Sequence, residues 1–461
     1  MTISEQTPLL NKHEVGVYER FTRGRKRGIL ALISWCGLLP LFISGSFFPS
    51  VPAIARDLDS SGSVISLAVS LSVLATSIGS LAAASYSSFY GRRPVYLVGL
   101  PLLCVGSLGV ALSQTVSQLM VWRFLQTFGA SPGLSVGAGV IGDIYKLEER
   151  GGAMGIFFGA CLLGPALAPL SAGVVAHFSS WRTMQFILGG AGFGAFICMY
   201  LFFSETSHPG VRGVDKLKIE EHSTAPFVWV NPLRSLALLR SPNLVAVTIA
   251  GLTVLTTEYV LLTALPYTIG ARYNITNEAY LGLCFIPIGL GNFIGAPAAG
   301  RFSDYLVKRY RQRRGGEWYP EDRLRGTLIG AAFFVPLSVL GSGLLTEYVP
   351  GKVGLIGNFV CLFLNGFGVD LVLSPSSAYG VDIMHSRSAE SMAANNALRS
   401  FFMSILIAGI LPMVNTVGVA ATDAVAAAFA WVGFLILWLT IQYGDRMRHW
   451  VDVEYSTEQD N

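Results

Sequence analysis

A few ionisable side chains stand inside long runs of apolar residues. They are the residues here whose type and setting could do chemistry. Glu258 lies in Thr256-Thr257-Glu258-Tyr259, Asp370 and Arg399 in two later apolar runs, and Arg123 in Arg123-Phe124-Leu125-Gln126. A charge in a membrane-spanning helix costs about 2.5–3.5 kcal/mol on insertion scales, so it persists where it faces a bundle interior or a wet cavity. Low-dielectric surroundings favour a neutral carboxyl, so Glu258 suits gaining and losing a proton, or holding a cationic group. The plainer reading is a packing acid satisfied by neighbouring hydroxyls. Arg123 could steady such an acid or hold an anion, or be a structural residue that snorkels to the interface. Asp370 and Arg399 carry opposite charges at similar depth and are expected to pair. Asn365, Asn395, Asn396 and Asn292 are amides in apolar helices, which bridge helices or line a cavity. Gln126 and Tyr259 complete the candidate set.

Other chemistries find no support. Cys36, Cys104, Cys161, Cys198, Cys284 and Cys361 all lie in apolar runs without a C-x-x-C pair, so neither a disulfide framework nor a metal site is expected. The histidines show no metal or triad spacing. Gly137-Ala-Gly139-Val-Ile-Gly142 spells G-x-G-x-x-G, but it ends an apolar helix and joins no strand to a helix. No phosphate-cradling G-x-x-x-x-G-K-[ST] occurs. No enzyme activity, cofactor or metal is expected. The net charge of +4 is scattered between apolar runs and argues against nucleic acid.

Lipid must position these residues. Of 461 residues, 52% are hydrophobic and only 13% charged, about half the charged share of a soluble domain. At about 20 apolar residues per crossing, the chain divides into twelve expected helices: 29–50, 64–88, 94–113, 118–141, 152–175, 183–203, 243–268, 277–299, 325–346, 354–377, 391–414 and 420–443. The first reads as a signal anchor, with no cleavable leader. Basic clusters precede the first helix (Arg20, Arg23, Arg25, Lys26, Arg27), join the second to the third (Arg92, Arg93) and follow the eighth (Lys308, Arg309, Arg311, Arg313, Arg314). All fall on one side, which makes both termini cytoplasmic. The sequon at Asn274 then falls outside.

The two halves repeat. Gln126, Gly129 and Asp143 recur as Asn365, Gly368 and Asp382 at a constant offset of 239. Parallel six-helix repeats with a midplane site are a build of secondary transporters. The expected organisation is a cytoplasmic tail 1–28, a six-helix half 29–203, a cytoplasmic linker 204–242, a second half 243–443 and a cytoplasmic tail 444–461. Gly151, Gly155 and Gly159 recur every fourth position, as in close helix packing. Gly164-Pro165 predicts a break or bend in the fifth helix.

On these motifs the chain resembles the major facilitator superfamily, and within it the fungal twelve-helix drug:proton antiporters of the quinidine and polyamine branch. Tyr90-Gly91-Arg92-Arg93-Pro94 is similar to the end of the superfamily's G-x-L-x-D-R-x-G-R-R signature, with Ala84 and Ser88 at its usual glycine and aspartate positions. The second half keeps an acid in Gly300-Arg301-Phe302-Ser303-Asp304. Arg123 to Gln126 resembles the R-x-x-Q motif, and Gly164-Pro165 the antiporter motif G-P-x-x-G-G, with Ala168 and Pro169 in place of its later glycines. Trp181-Arg182, Glu205-Thr206-Ser207-His208-Pro209, Tyr379 to Asp382 and Ala393 to Arg399 extend the likeness along nearly the whole chain.

The resemblance implies an all-α major facilitator fold with two six-helix pseudo-repeats, monomeric in the bilayer, that exports a small organic or drug-like solute against protons by alternating access. Its gate would use Gly91, Arg92, Arg93, Asp143, Arg301, Asp304 and Asp382, with Asp143 the partner acid that Ser88 cannot be. The rival expectations are a proton symporter or facilitator for a metabolite such as an organic acid, and a solute sensor that does not transport. Glu5 to Leu10 fits an acidic dileucine signal. It keeps a vacuolar or endosomal membrane open beside the plasma membrane.

Overall fold

The computed structural model describes residues 18–208, 212–215, 228–383 and 388–449. The Glu5 to Leu10 signal, Pro209 and much of both expected tails lie outside these residues. Among the described residues eleven helices are long and apolar enough to cross a bilayer. They are α1 (Arg23–Asp57), α2 (Gly62–Tyr90), α3 (Arg92–Leu112), α5 (Gly152–Phe178, extended back to Leu147), α6 (Trp181–Phe202), α7 (Pro242–Gly270), α8 (Glu278–Arg313), α9 (Glu321–Tyr348), α10 (Gly351–Ile383), α11 (Ser391–Val417) and α12 (Val419–His449). The remaining crossing, α4, is made of Val116–Ala130 and Pro132–Ile144. Pro132 lacks the amide donor that would continue the helix through Ser131. The fold is all-α, with twelve crossings and no strand among the described residues.

Helix starts are written in the short connections. Thr22, Ser61, Thr115 and Ser180 accept from the third amide of α1, α2, α4 and α6. Asn277 accepts from Ala279 at 2.8 Å to open α8. Each oxygen satisfies a helix-end donor that lipid cannot. Between elements, α2 packs along α11 and α5 along α8, so these pairs join the halves. A short helical segment, Pro232–Arg240, crosses beneath α2 and α11. Val98, Leu112, Val121, Phe202, Val353 and Ile356 are all more than 60% exposed. Such a surface is a lipid boundary.

Packing is asymmetric across the membrane. One apolar cluster spans both halves. It takes Phe47, Phe48, Val51, Ile54, Ile65 and Trp181 from the first half and Leu261, Leu265, Ile269, Phe285, Ile288 and Ile407 from the second. All lie at the helix ends remote from the termini. Toward the terminus-bearing face the core divides into two clusters, one wholly within each half. The halves are sealed at one face and separated at the other.

Three sequence expectations change. The predicted loop after Ala299 is helical as far as Arg313. Hydropathy marks only the part of α8 inside lipid, and the helix runs on into water. Gly164-Pro165 does not break α5, which is continuous with both Pro165 and Pro169 inside it. A side chain at Gly164 would stand 2.9 Å from Leu41 and 3.1 Å from the Phe42 amide, so close packing on α1 holds the helix in line. Finally, Gly155 and Gly159 are not packed, since a Cβ at either would meet nothing within 4 Å.

Candidate functional site

The acidic site is built by α7, α8 and α10. Glu258 is 7% exposed and accepts from Asn292 Nδ2 at 2.7 Å. α8 and α10 approach closely because Gly366 sits against Asn292. Asp370, one turn beyond Gly366, lies beside Gly295 of α8. It is close enough to Glu258 for their charges to interact, and its Oδ2 is buried without a hydrogen-bond partner. Tyr259 lies within electrostatic reach of both Glu258 and Arg399. Its ring contacts Phe48 at 6.2 Å, and Phe48 stacks on Phe285 at 6.3 Å. Those rings belong to the cluster that seals the far face, so Tyr259 stands at its edge. Arg399 donates to Asn396 Oδ1 at 2.8 Å. Tyr259, Asp370 and Arg399 keep partial solvent access although each lies deep within its helix.

The expected Asp370–Arg399 pair does not form. Arg399 turns to Asn396 on its own helix and lies over Gly251 of α7, while Asp370 faces α8. Arg123 and Gln126 are also absent from this site. Arg123 is 1% exposed and donates to Ser72 Oγ (2.9 Å), Gln126 Oε1 (2.7 Å) and the Ile43 carbonyl (3.0 Å), with its guanidinium 4.3 Å from the Phe47 ring centroid. Gln126 passes its own donors to Ser107 and Gln185, both at 2.9 Å. The network joins α1, α2, α3, α4 and α6 through neutral acceptors. Asn365 is fully buried, and its Nδ2 bridges Thr257 of α7 and Ser338 of α9, each at 3.1 Å, while its Oδ1 is unpartnered. Asn395 is buried with its Oδ1 unpartnered.

The terminus-bearing face carries a pair of clamps. In the first half Arg92 at the start of α3 holds Asp143 at the end of α4, through Nε at 2.9 Å and Nη2 at 3.4 Å. Asp143 thus serves as the acid missing at Ser88. Glu205, just past α6, accepts the backbone amides of Arg92 (2.9 Å) and Arg93 (3.1 Å). This places a carboxylate on the α3 N-terminus, where the helix dipole favours it. Gly91 makes the approach possible: its φ is +108°, and a Cβ there would stand 2.5 Å from Glu205 Oε2. Partial burial works against the Glu205 charge. The amides of Arg92, Ser207 and Arg93 nevertheless hold its carboxyl below its ordinary range.

In the second half Asp382 is held by Arg323 at 2.7 Å, and Arg323 also holds Asp304 at 2.9 Å. The sequence pointed to Arg301 for this role. Arg301 is exposed and makes no ion pair among the described residues. Arg323 escaped notice because α9 begins earlier than its hydropathy suggests, and because the arginine-to-aspartate spacing is 51 in one half and 59 in the other. Two more contacts lay beyond sequence reasoning. Glu321 on the first turn of α9 takes hydrogen bonds from Arg448 of α12 and from Tyr379 (3.1 Å), whose hydroxyl accepts from Asn243 (2.7 Å). At the far face Arg182 and Trp181 bind Asp57, and Arg56 reaches Glu278 across the halves at 3.1 Å.

Two six-helix halves, sealed together at one face and holding two carboxyls mid-membrane, have the build of a secondary transporter. The model of the Major Facilitator Superfamily matches residues 33–408, and the chain belongs to that family. It is a multi-pass membrane transporter. It is 28% identical to the efflux pump radE of Floropilus chiversii over 92% of this chain and 81% of the relative. It is 24% identical to the MFS antiporter QDR3 of Candida albicans, over 92% and 79%. Among solved structures, the xylose transporter XylE of E. coli in a partially occluded inward open conformation aligns with TM-score 0.66 at 14% identity, over 90% of this chain and 98% of that one.

Proposed function

We propose that the protein is a proton-coupled exporter of a small organic or drug-like solute, exchanging it for protons at Glu258 and Asp370. Both termini are cytoplasmic in this reading, so the face at which the two cores divide opens toward the cytoplasm. The plasma membrane is the expected site, with a vacuolar or endosomal membrane as the other address, and the working unit is a monomer. The observation that carries the proposal is the pair of membrane-embedded carboxyls, Glu258 and Asp370, within electrostatic reach of each other and without an ion pair to a basic residue among the described residues. Two such acids repel when both are ionised, which a proton or a cationic group relieves. Proton and solute then compete for the same oxygens, Asp370 Oδ2 above all. Competition of that kind gives exchange: solute displaces protons on one side and protons displace solute on the other. Occupancy biases the two conformations only by its differential affinity for them. The efflux and antiporter names of the two relatives agree with export.

The test is proton flux in sealed vesicles holding the purified protein, with an imposed pH gradient and a panel of lipophilic cations, polyamines and carboxylic acids. Wild type is expected to dissipate the gradient with at least one solute, and Glu258→Gln and Asp370→Asn to abolish that flux. Solute movement without proton movement in the wild type refutes the coupling. Arg399 favours a second reading, symport or facilitation of an organic acid. In that case a carboxylic acid drives protons in the same direction as itself.

A further inference from the structure

On the lipid-facing side of the first half, α1 and α6 frame a groove of about 630 Å³. Its floor is small: Gly28, Ala31 and Cys198. Its walls are Leu32, Trp35, Leu201 and Phe202, and Arg25 stands at its end. The exposure of Leu201 (63%) and Phe202 (70%) places the opening toward lipid. A Cβ at Gly28 would meet nothing within 4 Å. Membrane surfaces tolerate no empty trench of this size, because every lining atom would lose its contacts. Something chain-like fills it.

The dimensions and charges say what. Trp35 lies ten residues beyond Arg25, about 15 Å at 1.5 Å per residue. That is half of the roughly 30 Å hydrocarbon thickness, the depth one acyl chain reaches. Tryptophan usually sits at the membrane surface; here the indole lies at the deep end of the groove, against Gly194. At the shallow end Arg23, Arg25 and Arg27 are exposed, and none pairs with a carboxylate among the described residues. Arg25 makes one neutral side-chain hydrogen bond, to Ser204 at 3.2 Å, and lies 5.5 Å from the Phe21 ring centroid. Its remaining donors are free for a phosphate, which a guanidinium binds in a fork.

We infer that this groove is a binding site for one anionic glycerophospholipid of the leaflet at the terminus-bearing face, with an acyl chain along α1 and the headgroup on Arg25 and its neighbours. The leaflet's identity rests on the orientation proposed above, since the cytoplasmic leaflet is the anionic one. Binding in detergent does not depend on that orientation.

The experiment strips the purified full-length protein of lipid and titrates it with phosphatidylserine or phosphatidylcholine of matched acyl chains, reading bound lipid by native mass spectrometry. Phosphatidylserine is expected to bind at one saturable site and phosphatidylcholine more weakly. Arg25→Gln should weaken phosphatidylserine about fivefold, the worth of one basic residue at an anionic surface, and weaken phosphatidylcholine, whose phosphate is offset by its choline, by less. Gly28→Leu, which fills the groove and keeps every charge, should remove the saturable site for both. Equal retention of the two lipids, or unchanged phosphatidylserine binding in Gly28→Leu, overturns the assignment. Proton flux in vesicles tests the transport reading separately.

Discussion

The unpacked glycines of α5 lead to a test of how the open face closes. Where α5 and α8 touch, Gly173 meets Gly282 and Ala166 meets Gly289. Seven residues back along α5 match seven forward along α8, as antiparallel helices require. Continuing that register sets Gly159 opposite Ala296, Gly155 opposite Gly300, and Gly152 opposite Ser303. At 3.6 residues per turn these positions stay within about 60° of the contact line on each helix, with Gly155 and Gly300 on it. A Cβ at Gly152, Gly155, Gly159 or Gly300 meets nothing within 4 Å. The register predicts that the two rows of small residues meet when the terminus-bearing face closes. We predict that Gly155→Leu and Gly300→Leu leave this conformation undisturbed and obstruct the one closed at the terminus-bearing face. The gain in helix propensity on replacing glycine applies to both conformations and cancels. The bias is the overpacking cost in the closed one, about 1–3 kcal/mol per leucine, or about 5- to 150-fold in population. Spin labels at Glu149 and Arg309, with the native cysteines replaced, report the separation by pulsed resonance. The short-distance population seen in the wild type under coupling conditions should be lost, and transport should fall in proportion. Gly190→Leu is the control: it too meets nothing within 4 Å, but it lies on α6 away from the other half. A Gly155→Leu Gly300→Leu protein that still reaches the short distance and transports at the wild-type rate refutes the register.

Three further outcomes follow from the contacts described. Because its bonds to three amides hold Glu205 below its ordinary value of 4.5, its stabilising contribution is complete above that value and is lost as pH falls through the lower folded value. Wild-type thermal stability should therefore decline on acidification where Glu205→Gln stays flatter; Glu205→Gln should cost about 1 kcal/mol at neutral pH and leave the neutral-range pH profile of transport unmoved. Arg123→Leu strands Gln126 Oε1 in the buried core, at about 1–3 kcal/mol for the orphaned group, and removes the bonds to Ser72 and the Ile43 carbonyl. Its melting temperature should drop sharply, while Arg123→Gln, if it folds, keeps proton coupling. Arg323→Gln releases Asp382 and Asp304 together, so it should alter the label separation at the terminus-bearing face, whereas Arg301→Gln should not.

Much of this architecture is legible in the sequence because lipid imposes a single requirement, a run of about 20 apolar residues per crossing. Ser131-Pro132 was passed over, since hydropathy averages across a break that removes one backbone donor. The Asp143 partnership could be anticipated: Arg92 needs an acid, and Ser88 cannot supply one. Arg323 could not, because the two halves reach the same ion pair over different sequence separations. Asp370 and Arg399 were misjudged for a related reason. Depth along a helix can be estimated from sequence, but the direction in which a side chain leaves its helix depends on which neighbours approach. Here Gly295 draws Asp370 toward α8 and Gly251 gives Arg399 its room.

The clamps at the terminus-bearing face exchange their signs between halves. In the first, basic residues open α3 and the acid Glu205 follows α6; in the second, the acid Glu321 opens α9 and the base Arg448 ends α12. An ancestral duplication would thus have conserved a junction while its residues drifted to opposite polarity. Among the described residues, the one ion pair that joins the halves is Arg56–Glu278 at the far face. Each half is therefore electrostatically complete at the end that opens. Two polypeptides, severed between residues 208 and 228 and made together in one cell, should find each other through the far-face apolar seal and restore the carrier. Grafting only one of the second half's two helix ends onto the first would instead set like charges against one another.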